Sequence, residues 1–600
     1  MCSKLIRLNV MVCVVVGLMA QGLENGWAGK SQQQATGSTM MVAQAGSVQP
    51  DKARAIETKP DPPAGIMQGV AGGFTVKEFD VEGSALLSKE KINEIVGKYK
   101  GPGKQMADLE QARAELEKAY QALGFPTVLV SIPEQTIEEG TVRMLVTEGR
   151  LLEIRVSGNQ YYPRYQILEK LPSLQPGNLI EEKVLVKELN AVNVNPDLKV
   201  TPVLKASSEP GMVDLELKVK DRLPLHAKLT GDNKGPVTTP RNRLTAEVSY
   251  SNLWYADHIL SLQTTQTPED WGDVQSYGFS YVVPISGPQH AVAVYGSNVK
   301  STSVLAGTSL AVSPGNVSVA GNATIAGFRY FFPILQGGTM SHSITMGADY
   351  KHLKATDATF PGGLGTAVVL SPIDYTPVSL SYSAVRPDPF GLFDFSATAK
   401  GYWAQFPGGK KEDFAGDPND PFGKPGQRKG STGTFYVLQS SLNRNQPLPY
   451  GFHLVLHADG QWASEPLVPA EAYFAGGMDT VRGYIQNESL GDNAVRGRAE
   501  LYTPNLPDIP LDYFWQRRKS SDLKIQWKLL GFYDAANLWI QESPAGQRDQ
   551  FRLEGVGGGV RAQLVPYNLN FQLDQGVALR DATATREGDT FVHFAVSIAY

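Results

Sequence analysis

The sequence of 600 residues predicts two tandem α+β units followed by a C-terminal transmembrane antiparallel β-barrel of about 16 strands. Three observations predict it. A strand–helix–helix–strand–strand order occurs twice between Phe74 and Val219. Beyond residue 222, segments of about ten residues alternate apolar and polar side chains between turn-rich stretches. After the N-terminal segment, no uninterrupted apolar run reaches the roughly 18 residues of a membrane helix. A closed barrel is the other structure that satisfies a backbone in lipid.

Composition agrees. Apolar residues make up 42 % and charged residues 19 %, with 60 Gly and 24 Tyr, which is less charged and richer in Gly and Tyr than most soluble enzymes. A formal net charge of -5 and the absence of any long Lys/Arg run argue against a nucleic-acid partner. The two cysteines, Cys2 and Cys13, lie in a stretch where Lys4 and Arg7 precede an apolar run from Val10 to Ala20 and small residues follow near Ala28. That pattern reads as a secretory signal peptide over residues 1–28, whose cleavage would leave a chain without disulfides or thiolate chemistry. Residues 29–73, rich in Gln, Ala, Ser, Pro and Gly, read as a flexible tether that either plugs the pore or has no fixed structure.

The first α+β unit spans residues 74–150. Phe74 to Val81 alternates as a strand, Ser88 caps a helix from Lys89 to Tyr99, and Met106 to Leu123 forms a second helix that Gly124 stops. In that second helix Leu109, Ala112, Leu116, Ala119 and Tyr120 share one face. Strands at Thr127 to Ile132 and Thr141 to Val146 complete the unit. The second unit, residues 151–221, repeats the order, with a strand at Leu151 to Gly158, helices at Tyr165 to Leu171 and Glu181 to Ala191, and strands at Val200 to Lys205 and Met212 to Val219.

Residues 222–600 form the barrel. Tyr277, Phe279, Tyr281, Val283 and Ile285 define one apolar face, and Ala326, Phe328, Tyr330 and Phe332 another. Val592, Phe594, Val596, Ile598 and Tyr600 define a third, so the chain ends on an aromatic residue of a lipid-facing strand. Gln405 to Gly433 reads as a long extracellular loop, and prolines after aromatics at Pro284 and Pro333 suit short periplasmic turns.

The candidate site is Asp479 to Asp492, Asp-Thr-Val-Arg-Gly-Tyr-Ile-Gln-Asn-Glu-Ser-Leu-Gly-Asp, which Gly476, Gly477, Gly483 and Gly491 punctuate as a turn-rich loop. An arginine folded into a barrel needs an acidic partner, because an unpaired buried charge is costly. Extending the alternation from Lys524, Gln526 and Lys528 turns Leu530, Phe532 and Asp534 toward the lumen. Arg482 and Asp534 can then form a bidentate pair, with Phe532 available to Tyr484 or to the guanidinium. There is no His-Glu-x-x-His, no Gly-x-Ser-x-Gly elbow and no Walker-type loop, and the eight histidines are scattered through the barrel half. No catalytic residue, metal or cofactor is expected.

These motifs carry a family resemblance. The two α+β units resemble POTRA domains, through Asp108-Leu109, Tyr120 with Gly124-Phe125, Ile132-Pro133-Glu134-Gln135 and Glu148-Gly149-Arg150 in the first, and Val156-Ser157-Gly158-Asn159 in the second. Val481-Arg482-Gly483-Tyr484 is similar to the sixth-loop motif of the Bam-type barrel superfamily, and Phe532-Tyr533-Asp534 to the strand motif whose aspartate receives that arginine. Glu488, Gly491-Asp492 and Glu500-Leu501-Tyr502 resemble the continuation in haemolysin and filamentous-haemagglutinin secretion pores. Two departures stand out: Ala536 where the strand motif has Gly, which puts the close backbone approach there in question, and Ala494 where a Gly commonly closes the loop segment. The resemblance implies a two-partner secretion translocator in the outer membrane, its POTRA units periplasmic. Such a translocator exports an unfolded exoprotein client through the barrel without nucleotide hydrolysis, with activation of the client left open. Its individual client-binding residues and its oligomeric state stay open. So do two other readings: an outer-membrane insertase, which typically carries more POTRA units, and a passive porin or solute channel, which would need none.

Overall fold

The computed structural model describes residues 73–600 apart from 138, 237–238, 273, 286–289, 301–304, 309–316, 320–321, 336–339, 355, 360–365, 417–425, 511–523, 544–547 and 566. The leader read over 1–28, and the tether over 29–73 up to its last residue, lie outside the described residues. Two compact units emerge, and the boundary between them falls at Pro224.

In the first unit, Ser88 caps the helix Lys89–Val96, its Oγ accepting the Lys91 N–H at 3.4 Å. The helix Met106–Leu123 ends on Gly124 at φ 96°, a left-handed conformation that glycine adopts without steric cost. Leu109, Ala112, Leu116 and Tyr120 are buried on one face of this helix, in a core with Val128, Val142, Met144 and Val146. The sheet places Thr141–Glu148 centrally, with Glu78–Glu82 parallel on one side and Val128–Ser131 antiparallel on the other. One expected element is corrected. The strand read from Phe74 to Val81 is broken at Lys77, because the Lys77 and Glu78 amides both donate to the Gly140 carbonyl, at 2.8 and 3.3 Å. Phe74–Val76 instead pairs with Gly101–Lys104, whose Gly-Pro-Gly-Lys sequence carries no alternation to reveal a strand.

The second half of this unit repeats the topology. Met212–Asp221 is central, with Arg150–Ser157 parallel and Leu198–Ala206 antiparallel to it. Pro202, which has no N–H to give, sits on the outer strand, where a lost ladder bond is tolerated. Asp221 is nearly buried, and its carboxylate accepts the amides of Gln160, Tyr161 and Tyr162 at 2.8–3.0 Å, fixing the turn after Gly158. Asp221→Ala leaves those amides without their acceptor, an expected loss of about 1.5–3 kcal/mol. Faster hydrogen exchange at residues 160–162 in the full chain measures it, and unchanged protection contradicts it.

The second unit is a closed antiparallel barrel of 16 strands. In chain order they are Leu225–Asp232, Arg243–Leu253, His258–Gln266, Gln275–Pro284, Ala291–Lys300, Ala323–Leu335, Ser341–Leu353, Val378–Asp388, Gly391–Tyr402, Phe435–Pro447, His453–Ala463, Asn493–Tyr502, Lys524–Trp539, Gln550–Val565, Leu569–Ala578 and Thr590–Ala599. The last strand closes on the first, with Ala595 opposite Asp232 and Ala599 opposite Lys228. Alternation follows the pleat: Tyr277, Phe279, Phe328, Leu380, Val592 and Tyr600 face outward, while Ser276, Ser280, Arg329, Ser381 and His593 are buried toward the lumen.

The stretch Gln405 to Gly433, read as an extracellular loop, is more structured among its described residues than its turn-rich sequence suggests. Lys411–Ala415 is a short helix, and Phe414 is fully buried in an aromatic cluster with Tyr375, Tyr402 and Phe435. Burial of the Phe414 ring in this cage draws that part of the loop inward, whereas Phe406 stays exposed. Pro284 ends its strand as expected, whereas Pro333 lies inside Ala323–Leu335 at a register shift.

Candidate functional site

The loop between His453–Ala463 and Asn493–Tyr502 folds back into the barrel. It is stiffer than its glycine content suggests. Within it, Tyr473–Ala475 pairs with Ser489–Gly491, so the stretch read as wholly loop contains one strand of a small hairpin. Three residues per arm are too few to show alternation in sequence.

Arg482 is 1 % exposed and meets Asp534 as expected. Its Nε donates to Asp534 Oδ2 at 2.7 Å and its Nη2 to Oδ1 at 2.9 Å, a bidentate fork, while its own backbone N–H donates to Oδ2 at 3.1 Å. The Phe532 ring packs on the guanidinium, 3.5 Å from Cζ to the ring centroid, and this settles the choice left between the guanidinium and Tyr484.

Two further carboxylates complete the socket: Glu500 Oε1 at 2.7 Å and Asp574 Oδ2 at 3.4 Å from Nη1. Arg561 grips Asp574 at 2.6 and 2.9 Å, and Arg498 Nε lies 3.4 Å from Asp534. Three arginines thus face three carboxylates, a buried network without net charge, and its pairing limits the desolvation cost of the buried ions. In sequence, Glu500 reads only as part of a motif continuation. Nothing local singles out Arg498, Arg561 or Asp574, although Arg498 and Glu500 share the lumen parity of their strand.

The loop lies on a bed of glycine. Gly483 itself has φ 94°. A Cβ on Gly555 would sit 1.9 Å from the Arg482 carbonyl oxygen, and one on Gly576 would sit 2.5 Å from the Gly483 nitrogen. Gly557 makes room for the Phe532 ring, where a Cβ would meet Cζ at 2.5 Å. The signal is present in the sequence as Gly555-Val-Gly-Gly-Gly559, since glycine inside a strand marks close backbone approach. Ala536 accordingly does no harm. It is buried with Val481 and Tyr484, and the close approach falls on the next two strands along, at Gly555 and Gly576.

Tyr484 is fully buried, and its hydroxyl joins the backbone of Glu554 and Arg580, accepting their amides at 3.1 and 3.2 Å. Glu488 and Asp492 lie outside the arginine socket. Glu488 accepts the amides of Ala584 and Thr585, each at 2.7 Å, stapling the loop to the turn before the last strand. Asp492 accepts from Leu467 and Gln541 amides at 2.9 and 2.7 Å and pairs with Arg428 at 3.0 Å. Gly491 lies in the small hairpin beside it. Among the described residues no group of three or more His, Cys, Asp or Glu could hold a metal ion.

A POTRA domain ahead of a closed 16-strand barrel defines an outer-membrane protein with its N-terminal part in the periplasm. The ShlB-type POTRA domain model matches residues 74–149. The chain belongs to the haemolysin secretion/activation protein ShlB/FhaC/HecB family, whose model matches residues 211–561. Among curated relatives, the heme/hemopexin transporter protein HuxB of Haemophilus influenzae is 25% identical over 166 residues, 27% of this chain and 29% of that protein. The outer membrane transporter CdiB of Dickeya dadantii is 21% identical over 181 residues, 30% of this chain and 32% of that protein. The matched stretches therefore span about a third or less of the relatives' length. In fold, the chain is similar to CdiB from Escherichia coli, with TM-score 0.57 and 16% identity over 91% of this chain and 93% of that one. BamA from Haemophilus ducreyi lacking POTRA domains 1–3 follows with TM-score 0.50 and 13% identity over 88% of this chain and 100% of that one.

Proposed function

We propose that this protein is the translocator of a two-partner secretion pair, passing one cognate exoprotein through its barrel to the cell surface. The observation that carries the reading is the repeated topology: two βααββ modules, not one and not a longer series, precede the barrel among the described residues. We read the second, like the first, as a POTRA domain. The chain then divides into a signal peptide (1–28), a tether (29–73), POTRA modules (74–150 and 151–221) and a barrel (222–600). An unfolded client would add as a strand to a module edge, where backbone groups supply affinity without demanding a fixed sequence. Val128–Ser131 and Leu198–Ala206 are such edges. The Arg482 loop is the gate of the conduit. No nucleotide is consumed.

The test is export of the cognate exoprotein. Removing residues 74–220 is expected to abolish export while the barrel still assembles. Export at the full rate would favour a passive channel instead. Restored assembly of unrelated outer-membrane proteins in insertase-depleted cells would favour an insertase.

A further inference from the structure

The loop has a second anchor of opposite sign. Glu471 closes the short helix Pro469–Glu471 on the arm that enters the lumen, and its carboxylate is wholly buried. One oxygen pairs with Lys351 Nζ and accepts the Tyr375 hydroxyl at 2.8 Å; the other accepts Lys400 Nζ at 2.7 Å. Lys351 and Lys400 belong to the seventh and ninth barrel strands, whereas the carboxylates that hold Arg482 belong to the twelfth, thirteenth and fifteenth. Tyr375 also belongs to the aromatic cage of Tyr402, Phe414 and Phe435. The loop therefore bridges two sectors of the wall, a glutamate among lysines at one end and an arginine among carboxylates at the other. Because the two sockets have opposite charge, neither accepts the other's ligand, and the loop has a single register.

We propose that Glu471 is a positioning residue that holds the entering arm of the loop across the lumen, so that the conduit opens fully only when both anchors are released. This rests on the reading of the loop as a gate. The experiment is single-channel recording of the full-length protein in planar lipid bilayers. Glu471→Gln alone leaves two lysines without their counter-ion, so the informative variant is Glu471→Gln/Lys351→Met/Lys400→Met, which removes both signs. It is expected to keep the folded, heat-modifiable barrel and to raise the open fraction severalfold. Arg482→Ala recorded alongside separates the two claims. If the triple variant gates like the parent while Arg482→Ala opens, the second anchor is refuted and the gate stands. If neither opens, the gate reading falls too. A triple variant that does not fold also counts against the proposal, because the cluster would then serve the fold and not the gate.

Discussion

Arg482→Asp is expected to abolish client export while leaving the barrel inserted in the membrane. The socket holds three arginines against three carboxylates, Glu500, Asp534 and Asp574. The substitution leaves two cations facing four carboxylates, with Asp534 and Asp574 fully buried. Breaking one buried pair costs about 3–5 kcal/mol, and repulsion among like charges adds to it. The loop is therefore expelled from its seat. The sixteen-strand ladder that closes the barrel does not run through Arg482, so insertion survives. Exchanging the pair, Arg482→Asp with Asp534→Arg, restores only part of the export, since the carboxylate introduced on the loop still faces Glu500 and Asp574. Export at the parental level by Arg482→Asp would show that the loop does not control the conduit.

Gly555→Val is expected to have an effect of the same order without touching a charge. Its Cβ would lie 1.9 Å from the Arg482 carbonyl oxygen, a backbone atom that no side-chain rotation can move. The loop must lift, and every bond to Asp534 goes with it. Gly558, on the same strand, serves as the control, because its nearest neighbour is the Leu530 carbonyl at 3.4 Å. Gly558→Ala should export normally. If Gly555→Val exports as well as Gly558→Ala, the close approach has no part in holding the loop.

Much of this site is legible in local sequence. The lumen orientation of Asp534 follows from counting in twos from Lys524, and the helix at Met106 follows from its apolar face and Gly124. What stays hidden is long-range. Asp574 is 92 residues from Arg482 and Glu471 is 120 from Lys351, and no local pattern marks either as a partner. Both meet their ligands only because the barrel closes. The glycine run at Gly555 to Gly559 is an intermediate case: its composition announces a close approach but not what approaches. The inward turn of Phe414 is obscured because Phe406 and Phe422 share the same Gly/Pro-rich stretch, and nothing local marks which phenylalanine has a cage to fill.

Site-specific photo-crosslinking during export tests most directly whether the client passes through this lumen. Gln439 points inward, bonded to Gln461 at 2.7 Å, while its neighbour Leu438 faces outward at 49 % exposure. A photoreactive residue in place of Gln439 is expected to capture the client in exporting cells, and to lose that capture when Arg482→Asp is added. A crosslinker replacing Leu438 should capture none. Client captured at position 438 and not at 439 would contradict passage through the barrel.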